Sequence, residues 1–170
     1  PKYIDSILNN IVFCNDNGEI KLNLSYFGFL KGDKMYSKKL FEVFKMKTRQ
    51  PEETICQKHM DIAASIQKVT EIILNKIVNY AINLTQVNNL CLAGGVALNC
   101  VANGKLLQNK KIKNIWVQPA SGDSGCALGA AYLATYENFD LVRVSDEIND
   151  KQKFSALGSS FKTEEIEKIL

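Results

Sequence analysis

The sequence predicts an α/β domain. Two observations carry this. Apolar residues recur at helical spacing for several turns over residues 60–84. After that, short apolar runs and periodic segments alternate in the order strand, helix, strand, helix. That order is the one from which parallel strands with crossover helices are built.

The elements follow in chain order. Residues 1–49 are aromatic and turn-rich. Residues 4–12 read as a helix, and Asn15-Asp16-Asn17-Gly18 is a strong turn signal. Beyond it, residues 19–24 alternate polar and apolar, which predicts a half-buried strand with Ile20, Leu22 and Leu24 on one face. Tyr26-Phe27-Gly28-Phe29 lines a pocket or packs a small satellite core, and the second reading carries more weight. In the long helix the periodic residues are Ile62, Ile66, Val69, Ile73, Ile77, Ala81 and Leu84, and Asn88-Asn89 ends it. Leu90-Cys91-Leu92-Ala93 predicts a short buried strand, residues 96–107 a helix, and Ile115-Trp116-Val117 the centre of a second buried strand. Residues 124–136 predict a helix whose Ala127, Gly129, Ala130, Ala131 and Ala134 let it press close to a neighbour. The domain plan is a lead-in over residues 1–50, a core over 51–137 and a more charged, weakly periodic exit segment over 138–170.

Composition narrows the function classes. The chain has 170 residues, 46% hydrophobic and 23% charged, enough for one sizeable core. A net charge of +3 spread over the length does not point to nucleic acid, and the basic run at residues 105–113 reads as a solvated helix end and turn. No apolar stretch is long enough to span a bilayer, and the start is not signal-like. The five cysteines, Cys14, Cys56, Cys91, Cys100 and Cys126, have no Cys-x-x-Cys spacing. They read as buried free thiols in a reducing cytoplasm. Pro1 at the start, and a helix just beginning at Thr163 as its cap, predict a piece of a longer protein.

Two glycine loops carry the chemistry. Gly94-Gly95 follows a strand and opens a helix, the edge at which open α/β sheets bind ligands. Glycine lets the chain turn sharply and lets a ligand approach, and free N–H groups at the next helix start favour an anion. Asn99 falls about one turn in, where its amide both donates and accepts. The second loop, Pro119-Ala120-Ser121-Gly122-Asp123-Ser124-Gly125, repeats the design and adds a carboxylate. Asp123 either caps the next helix or ligates a cation. Neither Gly-x-Gly-x-x-Gly nor the phosphate-binding Gly-x-x-x-x-Gly-Lys-Ser/Thr pattern is present.

Asp61-Ile62-Ala63-Ala64-Ser65-Ile66-Gln67, Thr70-Glu71, the run from Leu90 to Cys100, Gln118-Pro119 and Gly122-Asp123-Ser124-Gly125 with Ala127-Leu128-Gly129-Ala130-Ala131 resemble the carbamoyltransferases of nodulation-factor and antibiotic biosynthesis. The resemblance covers residues 59–136 well and reaches more loosely to the aromatic first part and to Leu157-Gly158. It implies the second half of an actin/Hsp70/sugar-kinase-type, ribonuclease H-like ATPase domain. It also implies a reaction. A carbamoyl group moves from carbamoyl phosphate, through a carbamoyl-adenylate made with ATP, to a hydroxyl of a small-molecule acceptor. A bound divalent metal, iron in some members, assists. A further domain, towards which residues 138–170 would lead, makes the adenylate. By position, Gly94, Gly95, Val96, Asn99 and Gly122 would contact the nucleotide and Asp123 would be a metal ligand. The family's paired-histidine motif and the Arg-rich signature of its carbamoyl-phosphate domain are not in this sequence, whose single histidine is His59. The catalytic residues therefore stay unassigned, and the piece alone is expected to be inactive. A tRNA threonylcarbamoyl-transferase-like enzyme, a sugar or acetate kinase of the same superfamily and a non-catalytic nucleotide-binding module are the alternatives. Apolar helix faces also leave room for association into a homodimer.

Overall fold

The computed structural model describes residues 1–139, 141–142 and 158–170. Helices and two small sheets make a mixed α/β chain, as the sequence predicts. It divides into two compact units, residues 1–90 with 99–115, and residues 91–98 with 116–170.

In the first unit, α1 (Ile4–Asn10) leads into β1 (Val12–Cys14), which pairs antiparallel with β2 (Ile20–Leu22). The Asn15 to Gly18 turn joins them: Asn15 N–H donates to Glu19 O at 3.0 Å and Gly18 N–H to Asn15 O at 3.1 Å. The strand is where the alternation put it, but Ile20, Leu22 and Leu24 are exposed, not half-buried. A two-stranded ribbon covers neither face by itself.

A short helix, α2 (Lys38–Phe44), precedes the long α3 (Gln57–Thr85). At the start of α3, Cys56 N–H donates to His59 Nδ1 at 3.1 Å, so the imidazole stands where a capping-box carboxylate would. Gln86, at φ 58°, ends the helix in a left-handed turn, its N–H donating to Ile82 O at 2.8 Å; Asn88 and Asn89 lie beyond that stop. Val69, Val78 and Ile82 are buried on α3, and Ile62, Ile73, Ile77 and Ala81 are half-buried. Ile66 and Leu84, expected inside, are 51% and 70% exposed. Fully buried Ser65 takes a place on the inner face instead: Tyr3 N–H donates to its Oγ at 2.9 Å, and its hydroxyl donates to Asp61 O at 2.6 Å. The core joins Ile7, Ile11, Val12, Tyr26, Phe44 and Val69. Burying each such side chain contributes roughly 1.5–3 kcal/mol. Of the aromatic run, Tyr26 belongs to this cluster and Phe27 packs against it and also lines a small surface pocket, while Phe29 is exposed. Next, α4 (Cys100–Leu106) packs on α3 through buried Ala102 and Leu106.

Strands β3 (Asn89–Leu92) and β4 (Asn114–Val117) form the second sheet. Lys113 N–H donates to Asn88 O at 2.8 Å and Gln118 N–H to Leu92 O at 3.2 Å, so the pairing ascends on both chains and is parallel. Both strands were expected to be buried. Instead their residues alternate between exposed and half-buried, and Trp116 is 44% exposed. With only two strands paired, apolar side chains on the faces are not covered among the described residues.

In the second unit, residues 95–98 form a 3-10 turn, and α5 (Gly125–Leu133) is followed by a π-helical turn over Ala134–Asn138. No residue of α5 is buried, so the close packing expected of its small residues is not seen among the described residues. Its sequence is apolar on every side, the composition of a helix that belongs in an interior. Lys162, not Thr163, occupies the N-cap position of a short α6 (Thr163–Glu167), and its N–H donates to Glu165 Oε2 at 2.8 Å. About half of the exit segment, Leu157 included, lies outside the described residues. The cysteines are free, as expected, but Cys56, Cys91, Cys100 and Cys126 are exposed, not buried. Among the described residues, no helix is long and apolar enough to cross a membrane.

Candidate functional site

The second unit holds both glycine loops. After β3 the chain reaches Gly94 at φ 94°, a conformation that strains any residue with a Cβ. Ala97 N–H closes the turn onto Gly94 O at 2.9 Å. A Cβ built at Gly94 or Gly95 would meet nothing within 4 Å, and Val96 is exposed, so this turn offers open backbone. The turn and the second loop touch: a Cβ at Gly122 would lie 3.8 Å from Leu98 Cδ1.

After β4, Gly125 N–H donates to Gly122 O at 3.1 Å and Cys126 N–H to Asp123 O at 3.2 Å. The residue at the N-cap of α5 is Ser124, and no side chain caps the helix. Asp123 therefore gives its backbone carbonyl to the turn and leaves an exposed carboxylate. That side chain is sterically accessible to a cation. Among the described residues, no three His, Cys, Asp or Glu side chains cluster as a metal site. His59 is engaged at the start of α3, with Cys56 Sγ 3.3 Å from its Nδ1. Ser121, not singled out from sequence, is 5% exposed and its Oγ has no hydrogen-bond partner among the described residues.

The first unit holds Asn99. It lies at the N-cap of α4 and not a turn inside a helix, because the helical period of residues 96–107 covers two separate helices. Asn99 Oδ1 accepts from Ala102 N–H at 3.0 Å. Its Nδ2 donates to Gln67 Oε1 at 2.8 Å, and Gln67 Nε2 donates back to Oδ1 at 3.2 Å. Behind Gln67 stands Glu71, 8% exposed, which accepts from Lys105 Nζ at 2.6 Å, Gln67 Nε2 at 3.3 Å and Lys68 Nζ at 3.4 Å. Glu71 also lines a polar groove of about 570 Å³ with Lys68, Asn75, Asn79, Lys105 and Asn109. Sequence reasoning assigns Gln67 and Glu71 no role. Nothing local distinguishes them from the other polar residues of this amphipathic helix, such as Lys68, Asn75 and Asn79.

The Lys105 hydrogen bond, with those from Gln67 and Lys68, holds the Glu71 carboxyl below the ordinary glutamate value against the opposing effect of burial. A depressed folded pKa contributes stability that is present above the unfolded value and lost as pH falls through the folded one. Glu71→Gln should therefore cost about 1 kcal/mol near neutral pH, a modest figure because both lysines are roughly half exposed. Urea unfolding of parent and variant between neutral and acid pH checks this. The two curves should converge as Glu71 protonates, and a constant gap would refute it.

A family model, "Carbamoyltransferase N-terminus", matches residues 1–132. The chain belongs to the carbamoyltransferase N-terminus family. This bears out the resemblance read from the glycine loops. The chain is also similar to parts of longer proteins. It is 46% identical over its whole length to the uncharacterized protein sll1178 of Synechocystis, of which it spans 28%. It is 47% identical over 81 residues, 48% of the chain and 15% of the relative, to nodulation protein NolO of Bradyrhizobium diazoefficiens. Against nodulation protein NolNO of Sinorhizobium fredii it is 46% identical over 81 residues, 12% of that protein. The chain thus spans under a third of each of these relatives.

Proposed function

We propose that the chain is part of a cytoplasmic O-carbamoyltransferase, and that its strand-to-helix loops are one wall of the nucleotide and metal site in an actin-like ATPase domain. The exposed Asp123 carboxylate, on a glycine loop after a parallel strand and free of any capping duty, is the observation that carries this reading. The relatives named as nodulation proteins support it.

In the reaction, carbamoyl phosphate, water and ATP give carbamoyl-adenylate, pyrophosphate and phosphate. The acceptor oxygen then bonds to the carbamoyl carbon as the bond to AMP breaks, and the hydroxyl proton leaves to a base. Gly94, Gly95, Val96 and Gly122 would present backbone to the nucleotide, and Asn99 an amide. Holding the donor in place makes attack effectively intramolecular. A divalent cation on Asp123 would supply Lewis-acid polarisation of the carbamoyl carbonyl.

The full-length protein, given ATP, carbamoyl phosphate and a pool of hydroxylated metabolites, should release pyrophosphate and AMP and yield a carbamate ester. Pyrophosphate release independent of carbamoyl phosphate, or none with any divalent metal, would overturn the reading.

A further inference from the structure

We propose that Gln67 is a positioning residue that sets which way the Asn99 amide points and so presents one Asn99 N–H to the nucleotide. This rests on the reading of Asn99 given above. An asparagine amide has nearly the same shape after a half-turn, so its orientation must be imposed by partners of fixed polarity. Two such partners act here, from opposite ends. Ala102 N–H can only donate, which makes the near atom of Asn99 the oxygen. At the other end, the Glu71 carboxylate, kept ionised by Lys105 and Lys68, can only accept. Gln67 must therefore turn its Nε2 toward Glu71 Oε1 and leave Oε1 to accept from Asn99 Nδ2. The polarity runs unbroken from lysine to carboxylate to glutamine to asparagine. Of the two hydrogens on Asn99 Nδ2, one goes to Gln67 and the second is left for a ligand.

The test uses the full-length protein and calorimetric titration of a non-hydrolysable ATP analogue. Asn99→Ser keeps a good helix cap while removing the amide donor. Gln67→Met keeps helix propensity and volume while removing both hydrogen-bonding groups. Each should weaken binding about tenfold, and the double variant should be no weaker than Asn99→Ser alone by more than about twofold. A Gln67 that acted only on packing would add its effect to that of Asn99→Ser, and this additivity would overturn the proposal. If Asn99→Ser leaves affinity unchanged, the nucleotide role of Asn99 fails. If Asn99→Ser weakens binding and Gln67→Met does not, the positioning role alone fails. Should Gln67→Met not fold, Glu71→Gln, which allows the Gln67 amide to flip, is expected to weaken binding about threefold, and an unchanged affinity overturns the proposal.

Discussion

Asp123→Asn should lower carbamoyl transfer by the full-length protein about 100-fold or more, the loss of a few kcal/mol of charge stabilisation. The carboxylate is exposed and does not cap α5. Removing its charge should therefore shift stability by no more than about 0.5 kcal/mol. Pyrophosphate release should persist, because adenylate formation belongs to the other domain of the proposed enzyme. The comparison is of transfer rate, pyrophosphate release and thermal midpoint on one preparation. Transfer that survives the substitution sinks the metal-ligand role of Asp123. A collapse of stability in parallel with transfer would make Asp123 a structural residue instead.

Gly125→Ala should destabilise the fold by about 1–3 kcal/mol or more, as overpacking against an unyielding neighbour does. A Cβ at Gly125 would run into the carbonyl oxygen of Ala120. That obstacle is backbone, and it cannot swing aside as a long side chain would. The chain is also tied there, with Ala120 N–H donating to Gln118 Oε1 at 3.1 Å. Gly122→Ala is the control, since its Cβ would make an ordinary contact 3.8 Å from Leu98 Cδ1. It should change stability by no more than about 0.5 kcal/mol. Thermal midpoints of the two variants separate the cases; equal midpoints would remove the reason given for glycine at position 125.

Part of the fold and of the site is legible in the amino-acid sequence. The period of α3, the parallel strands and the left-handed Gly94 between them follow from local rules, because spacing and glycine content act over a few residues. Other features are not legible there. The helical pattern of residues 96–107 conceals a 3-10 turn, a cap and a second helix. The break falls where Asn99 bonds the backbone ahead of it, and its other partner, Gln67, lies 32 residues away in sequence. Burial is misjudged for the same reason. Leu22, Ile66 and Trp116 are apolar at plausible inward positions, yet exposure depends on which element lies opposite, and composition carries no record of that.

By itself, then, the sequence determined the α/β alternation, the place of the two glycine loops and the family, since each is written in residues adjacent or periodic along the chain. Only the tertiary structure decided that Asp123 is left uncapping and exposed, and that Glu71 is buried yet ionised beside Lys105. It also brought the Gln67 and Asn99 amides into reciprocal hydrogen bonds. Each depends on groups brought within about 3 Å by packing, where hydrogen bonds select one orientation and charge is held against desolvation.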